Sequence, residues 1–156
     1  DSTALASDGA RRVKGDIVPD ELHVSRLCGG SHIREDGAIA ATAFKPRTGE
    51  AYLSVNWLEM LALSSRDAEI TEVRRILATK RTIGAAARLA VLNVYQACEV
   101  VRQQCHNHRI DVRHEPEIDP GRPQDPCHSG IYGVSEDDNI IPELLAGAVQ
   151  EVYEAR

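Results

Sequence analysis

The order of apolar patterns along the chain constrains its fold more than any other feature. Residues 22–28 alternate between apolar and polar side chains, as a half-buried strand does. Residues 70–77 instead repeat apolar side chains at the spacing of one helix face. Extended to the whole chain, these patterns predict the order β-β-β-α-β-α-β-β-α. That order favours an α+β fold with a single mixed β-sheet and about three helices packed on one of its faces.

Local signals set the expected limits of several elements. The runs 38–44 and 51–55 flank a turn sequence that contains glycine, which predicts a hairpin. Asn56 is expected to cap a helix that begins at Trp57, and Ser64, Ser65 and Asp67 to open the next helix. The motif Ser-Glu-Asp-Asp at 135–138 resembles a capping box, so a last helix is predicted from Ile140 to Val152.

Length and composition predict one globular domain. The chain has 156 residues, of which 42% are hydrophobic and 4% aromatic, so a single and mainly aliphatic core is expected. Residues 1–15 are small, polar and aperiodic, which predicts a flexible N-terminal tail before a single α+β domain over residues 16–156.

Charge and cysteine usage narrow the class of protein. The net charge of -6 argues against a protein that grips nucleic acid, and the basic residues between Arg74 and Arg88 are interpreted as a solvated helix face and its exit. No run of 18 apolar residues predicts a membrane helix, and no signal peptide is recognisable. The four cysteines have irregular spacing, so we expect reduced thiols in a cytoplasmic protein.

The stretch RHEPEIDPGRPQDPCHSGIYG, residues 113–133, holds the densest set of reactive side chains. Loops of more than about 12 residues inside a compact domain are often functional, and four prolines stiffen this one. His114 and His128 bracket it at predicted strand ends, so the two imidazoles could meet and shuttle protons, with Glu115 orienting one of them. The alternative is that both histidines bind the loop backbone and pin a recognition loop.

Metal binding and cysteine catalysis find less support in the same stretch. Cys105 and His108 have the spacing of half a zinc site, but the second half would be the adjacent pair Cys127 and His128, and neighbouring residues rarely both coordinate. Cys127 would need a histidine that takes its proton, and nothing else resembles a protease motif. Neither a metal site nor a resident cofactor is therefore predicted.

Two resemblances add expectations. Arg26 in the first strand, followed by FKPRTGEAYLS at 44–54, resembles small NAD-consuming ADP-ribosyltransferase-like domains. That resemblance implies that Arg26 and a later small polar residue, Ser54, grip the dinucleotide. The family's downstream catalytic Glu has no clear counterpart in the expected setting, and Glu115 or Glu117 are the convenient candidates. The alternative interpretation is an ordinary hairpin with polar edges. Separately, AFKPRTGEAYLSVNWLEML and the late P…HS…G segment resemble a group of small bacterial proteins, which implies a bacterial single-domain protein and no particular activity.

Two functions from different classes follow. The first is a small accessory or regulatory protein that acts through a protein partner. The second is a small enzyme, an NAD-using ADP-ribosyltransferase-like transferase or a hydrolase, with a small-molecule ligand. The enzyme hypothesis predicts that Arg26, Ser54, His114 and His128 converge on one pocket of roughly 300 Å³ or more.

Overall fold

Antiparallel pairing organises the chain into one sheet. The computed structural model describes residues 15–156. Within that range the elements are β1 (His23–Cys28), β2 (Leu53–Trp57), α1 (Arg66–Lys80), β3 (Arg88–Asn93), α2 (Val94–Gln104), β4 (Asp111–His114), β5 (His128–Tyr132), α3 (Ile140–Gly147) and β6 (Glu151–Glu154). The strands lie in the order β4-β5-β2-β1-β3-β6. The predicted α+β class with one sheet and three helices is confirmed, but the pairings in this range are antiparallel, so the sheet is not mixed.

Both faces of the sheet carry helices, whereas the sequence pattern predicted helices on one face. Side chains alternate along each strand, so the central strands β1 and β3 contribute to two apolar clusters, one on each face of the sheet. Helices α2 and α3 cover one face and α1 covers the other. The first cluster includes Val24, Val55, Trp57, Leu92, Ala97, Val101, Ile141 and Leu145. The second includes Leu58, Ile70, Val73, Leu77, Leu89 and Val91.

Each helix begins at a polar residue that satisfies free backbone N–H groups. The Ser65 hydroxyl accepts a hydrogen bond from the Ala68 N–H at 3.1 Å, as its predicted capping role requires. The side-chain oxygen Oδ1 of Asn93 caps α2 in the same way and accepts a hydrogen bond from the Gln96 backbone N–H at 3.0 Å. At the start of α3, the Asp138 carboxylate accepts from two successive backbone N–H groups.

The predicted hairpin of residues 38–44 with 51–55 does not form. Ala41–Phe44 is a 3-10 turn whose last side chain is fully buried, and β2 pairs with β1 and β5 instead. Trp57 ends β2 rather than beginning a helix, and Asn56 is a buried strand residue. Partners distant in sequence therefore override the local turn signal, because packing decides strand pairing more than intrinsic preference does.

The last helix is also shorter than predicted. Helix α3 ends at Gly147, and residues 151–154 form the edge strand β6 on β3. The Gln150 N–H donates to the Val91 carbonyl, which starts this pairing. The apolar residues Ala148, Val149 and Val152 fit a helical pattern, but the polar groups along the free edge of β3 are satisfied when the chain becomes a strand.

At the opposite edge of the sheet, residues 15–17 lie against β4. Ile17 forms an isolated bridge with Arg113, and the Gly15 N–H donates to the His114 carbonyl at 2.6 Å. Apart from Gly15, the predicted tail of residues 1–15 lies outside the described residues. None of the helices in the described range has the length and apolar character needed to cross a membrane.

Candidate functional site

A small cavity lies against β1, β2 and β5, beside the C-terminal end of α1. It encloses about 120 Å³ and is called the cationic cavity below. A second hollow of about 300 Å³ shares Lys80 and Arg81 with it and is otherwise lined by the loop between β4 and β5. The residues that line the cationic cavity are Arg26, Leu27, Arg47, Glu50, Ser54, Asn56, Leu77, Lys80, Arg81 and His128.

The Arg26 guanidinium occupies the place where β1 and β2 stop pairing. The ladder between them holds two residue pairs, whereas β1 and β3 share six. Beyond this short ladder, Arg26 Nη1 donates to the Ser54 carbonyl at 2.9 Å, and Nε donates to the Ala43 carbonyl at 3.0 Å. Burial lowers the pKa of Arg26, but an arginine remains protonated in proteins. The separated strands therefore hold a fixed positive charge at the cavity wall.

Two further guanidinium groups line the cavity without a carboxylate partner. Neither Arg47 nor Arg81 forms a side-chain ion pair with any residue in the described range. Glu50 is the one carboxylate among the described lining residues, and one of its oxygens accepts a hydrogen bond from the Arg47 backbone N–H. The cavity wall is therefore positive overall, although the whole chain is acidic.

Lys80 contributes less to this charge because two carboxylates neutralise it. Its Nζ lies 2.8 Å from Asp125 and 2.6 Å from Glu117. Burial opposes the charge of the lysine, but these hydrogen bonds outweigh it and raise the pKa of Lys80. Burial likewise favours the neutral form of Glu117, and the hydrogen bond from Lys80 still lowers the pKa of Glu117. The Lys80 side chain therefore mainly joins α1 to the loop between β4 and β5.

The loop between β4 and β5 is ordered as an extension of the two strands. Glu117 and Asp125 form a two-bond backbone bridge, at 3.0 and 2.8 Å. The Asp125 carboxylate is fully buried, and its second oxygen accepts from the Asn56 amide at 2.7 Å. Strand β2 and helix α1 therefore both hold this loop through one buried carboxylate.

His128 is the histidine that faces the cavity. It is 4% exposed, and its Nδ1 lies 2.8 Å from the Glu115 carbonyl oxygen. The Tyr52 ring packs nearby, with its centroid 5.9 Å from the imidazole centroid. Tyr52 covers Gly130, where a Cβ atom would meet the ring at 2.3 Å. A glycine at this position thus leaves room for the aromatic ring over β5, next to His128.

The structure separates the two histidines that were expected to meet. His114 pairs with Ser129 across the β4–β5 ladder, so its side chain lies on the face opposite to that of His128. Its Nε2 lies 2.8 Å from the Pro126 carbonyl, and its ring packs edge-on against Trp57 in the core. Of the predicted site residues, Arg26, Ser54 and His128 thus line the cavity, and His114 does not.

Glu115 also lies outside the cavity lining. Its side chain is buried, and its carboxylate accepts a hydrogen bond from the Tyr132 hydroxyl. Burial first, and then this bond, raise the pKa of Tyr132. Glu115 contacts His128 through its backbone carbonyl and its backbone N–H.

The cysteines are free thiols. Cys127 is fully buried, and burial raises its pKa to about 12. Its Sγ accepts a hydrogen bond from the Asn56 amide and donates to the Asp125 carboxylate, so among the described residues it is not paired with a histidine as a cysteine nucleophile of the Cys–His type requires. Within residues 15–156, no group of three or more His, Cys, Asp or Glu side chains could hold a metal ion.

Sequence reasoning missed several residues of the cavity. Arg47 is a turn residue, and Arg81 follows α1 in a stretch interpreted as solvent-facing. A usable signal did exist in β2, where the polar residues Ser54 and Asn56 alternate with buried Leu53, Val55 and Trp57. Polar side chains on one face of a central strand indicate a face that is not simply core.

Comparisons with known proteins add no relative. The sequence matches no protein-family model, and neither the curated proteins nor the solved structures contain a significant match. The class of the molecule therefore rests on its own fold and cavity: an α+β domain with one antiparallel sheet and a cationic cavity between the sheet and α1.

Proposed function

We propose that this domain binds NAD at the cationic cavity and consumes it as a transferase or hydrolase. The observation that carries the proposal is the convergence of Arg26, Ser54 and His128, from three neighbouring strands, on one cavity with a positive wall. The resemblance to ADP-ribosyltransferase-like domains implies a dinucleotide grip by Arg26 and Ser54, and this convergence is consistent with it.

Charge supports a ligand that carries phosphate. The guanidinium groups of Arg47 and Arg81, which form no ion pair within residues 15–156, can each form bidentate, charge-assisted hydrogen bonds to phosphate oxygens. The cationic cavity, at about 120 Å³, is smaller than the pocket of roughly 300 Å³ or more that the enzyme hypothesis predicted, and His114 lies outside it, so that prediction is met only in part. A dinucleotide would therefore extend past Arg81 into the adjoining hollow of about 300 Å³.

The test measures both binding and consumption. Calorimetry should detect NAD binding to the wild-type chain, and chromatography should detect release of nicotinamide. Arg81→Gln should weaken NAD binding roughly tenfold or more, because a hydrogen bond to a charged group contributes about 1.5–3 kcal/mol.

Arg102→Gln is the matched control. Arg102 lies on α2, pairs with Glu99 and does not line the cavity, so its loss should leave NAD affinity unchanged. Equal affinity for inorganic pyrophosphate and for NAD would contradict a dinucleotide ligand. Absence of nicotinamide release would contradict consumption.

The alternative function, an accessory protein that acts through a protein partner, stays a prediction from the sequence. The proline-rich loop that suggested it is tied down by Lys80 and Asn56 through Asp125. No contact in the described range selects a particular kind of protein partner.

A further inference from the structure

The hydrogen bond to the loop determines which nitrogen of His128 carries the proton. Nδ1 lies 2.8 Å from the Glu115 carbonyl oxygen, and a carbonyl oxygen only accepts. Nδ1 must therefore donate, and in the neutral ring Nε2 carries the lone pair. Because Nδ1 is used on the loop side and the side chain lines the cavity, Nε2 is the nitrogen left for a ligand.

The surroundings hold the ring in that position. The Glu115 N–H donates to the His128 carbonyl at 2.8 Å, so the two residues are joined through both backbone and side chain. Asp125 ties the far part of the loop to Asn56 and Lys80, and Tyr52 packs against the imidazole. A base held by surrounding contacts loses little conformational freedom when it meets its substrate.

We propose that His128 is the proton acceptor of NAD hydrolysis at this cavity, and that the proline-rich loop serves to hold it in the required tautomer. This inference rests on the proposed function. A water oxygen forms a bond to C1′ of the nicotinamide ribose while the bond from C1′ to the pyridinium nitrogen breaks. The electron pair of that bond leaves with nicotinamide, which becomes neutral. The proton of the water passes to Nε2 of His128 and then to solvent.

His114, the other histidine of the β4–β5 hairpin, uses the opposite ring nitrogen for its hydrogen bond. His114 uses Nε2 for the Pro126 carbonyl, and its Nδ1 is buried without a hydrogen-bond partner in the described structure. Its ring lies against Trp57, away from the cavity. The same hairpin therefore holds two histidines in opposite tautomers, and only His128 presents a lone pair to the cavity.

Two substitutions separate proton transfer from positioning. In His128→Gln, the side-chain amide can still donate to the Glu115 carbonyl, but it cannot accept a proton near neutral pH. His128→Ala instead opens space for added imidazole. A positioned base typically contributes roughly 10²–10⁴-fold to a rate. We therefore expect both variants to release nicotinamide at least about 100-fold more slowly, with NAD affinity within about fivefold of wild type.

Imidazole rescue provides the decisive readout. Added imidazole should restore part of the rate of His128→Ala and none of that of His128→Gln. His106→Ala is the control, because His106 is exposed and does not line the cavity. The fluorescence of Trp57 and the far-UV circular dichroism check that each variant is folded, and if His128→Ala unfolds, His128→Gln alone decides.

The failure of this inference is distinct from that of the proposed function. A folded variant at position 128 that keeps its rate within about threefold of wild type would overturn the role of His128 and leave NAD consumption intact. Failure of imidazole to restore any rate in folded His128→Ala would overturn it as well. Lack of nicotinamide release by the wild-type chain would instead refute the proposed function itself.

Discussion

Replacing Lys80 with methionine tests whether one ion pair holds the loop between β4 and β5. Met keeps most of the aliphatic length of lysine but removes the charge that faces Asp125 at 2.8 Å. Asp125 is fully buried, so its carboxylate would keep the Asn56 amide and lose its counter-charge. The cost is therefore mainly that of an uncompensated buried charge.

The expected magnitude follows from burial. Removing one partner of a buried pair costs about 3–5 kcal/mol. Of the two carboxylates that pair with Lys80, only Asp125 is left buried, since Glu117 is 45% exposed and water can solvate it, so the low end applies. We expect the free energy of unfolding to fall by about 3 kcal/mol, which lowers Tm by about 6–12 °C for a domain of this size.

Urea denaturation followed by the fluorescence of the single tryptophan measures this change. Trp57 is fully buried, so its emission should shift when the domain unfolds. The control is Arg75→Met, which removes an exposed ion pair with Glu72 on the same helix and should leave stability unchanged.

A double substitution distinguishes an unpaired charge from lost packing. Adding Asp125→Asn to Lys80→Met removes the orphaned carboxylate and keeps a side chain that can still pair with Asn56. The double variant should therefore be more stable than Lys80→Met alone. Equal stability of Lys80→Met and Arg75→Met, or a double variant no more stable than Lys80→Met, would refute the reasoning.

Two further predictions concern β5 and the thiols. Gly130→Ala should reduce the free energy of unfolding by about 1–3 kcal/mol, because the new Cβ meets the Tyr52 ring. Gly147→Ala, with nothing within 4 Å, is the control, and urea titrations of both variants decide. Iodoacetamide at pH 8 should label the partly exposed Cys105 well before Cys127, whose burial raises its pKa to about 12. Early labelling of Cys127, detected by peptide mass spectrometry, would contradict this order.

The elements that sequence predicts well are those whose signals are local. Helix α1 combines a capping serine, Ser65, with apolar residues on one face, and both features act within a few turns of each other. Strand β3 is a run of four buried residues between polar ends. Such elements need no knowledge of their partners.

The errors occur where a distant partner decides the outcome. Residues 151–154 have a helical neighbour and some helical spacing, yet they become β6 because the edge of β3 is free to pair. Residues 38–44 read as a strand, but β2 already has β1 and β5 on its two sides, so no edge is left for them. Strand order, which fixes these partners, is not encoded in any one segment.

The candidate site depends on strand order and register in the same way. Arg26, Ser54 and His128 are separated by up to about a hundred residues, and they share a cavity because β1, β2 and β5 are adjacent in the sheet. Register then selects His128 over His114, since a shift of one residue would exchange the faces on which the two imidazoles lie. Residue types alone therefore make both histidines candidates for the site. The pairing of Asn56 with His128 places His128 at the cavity and leaves His114 in the core.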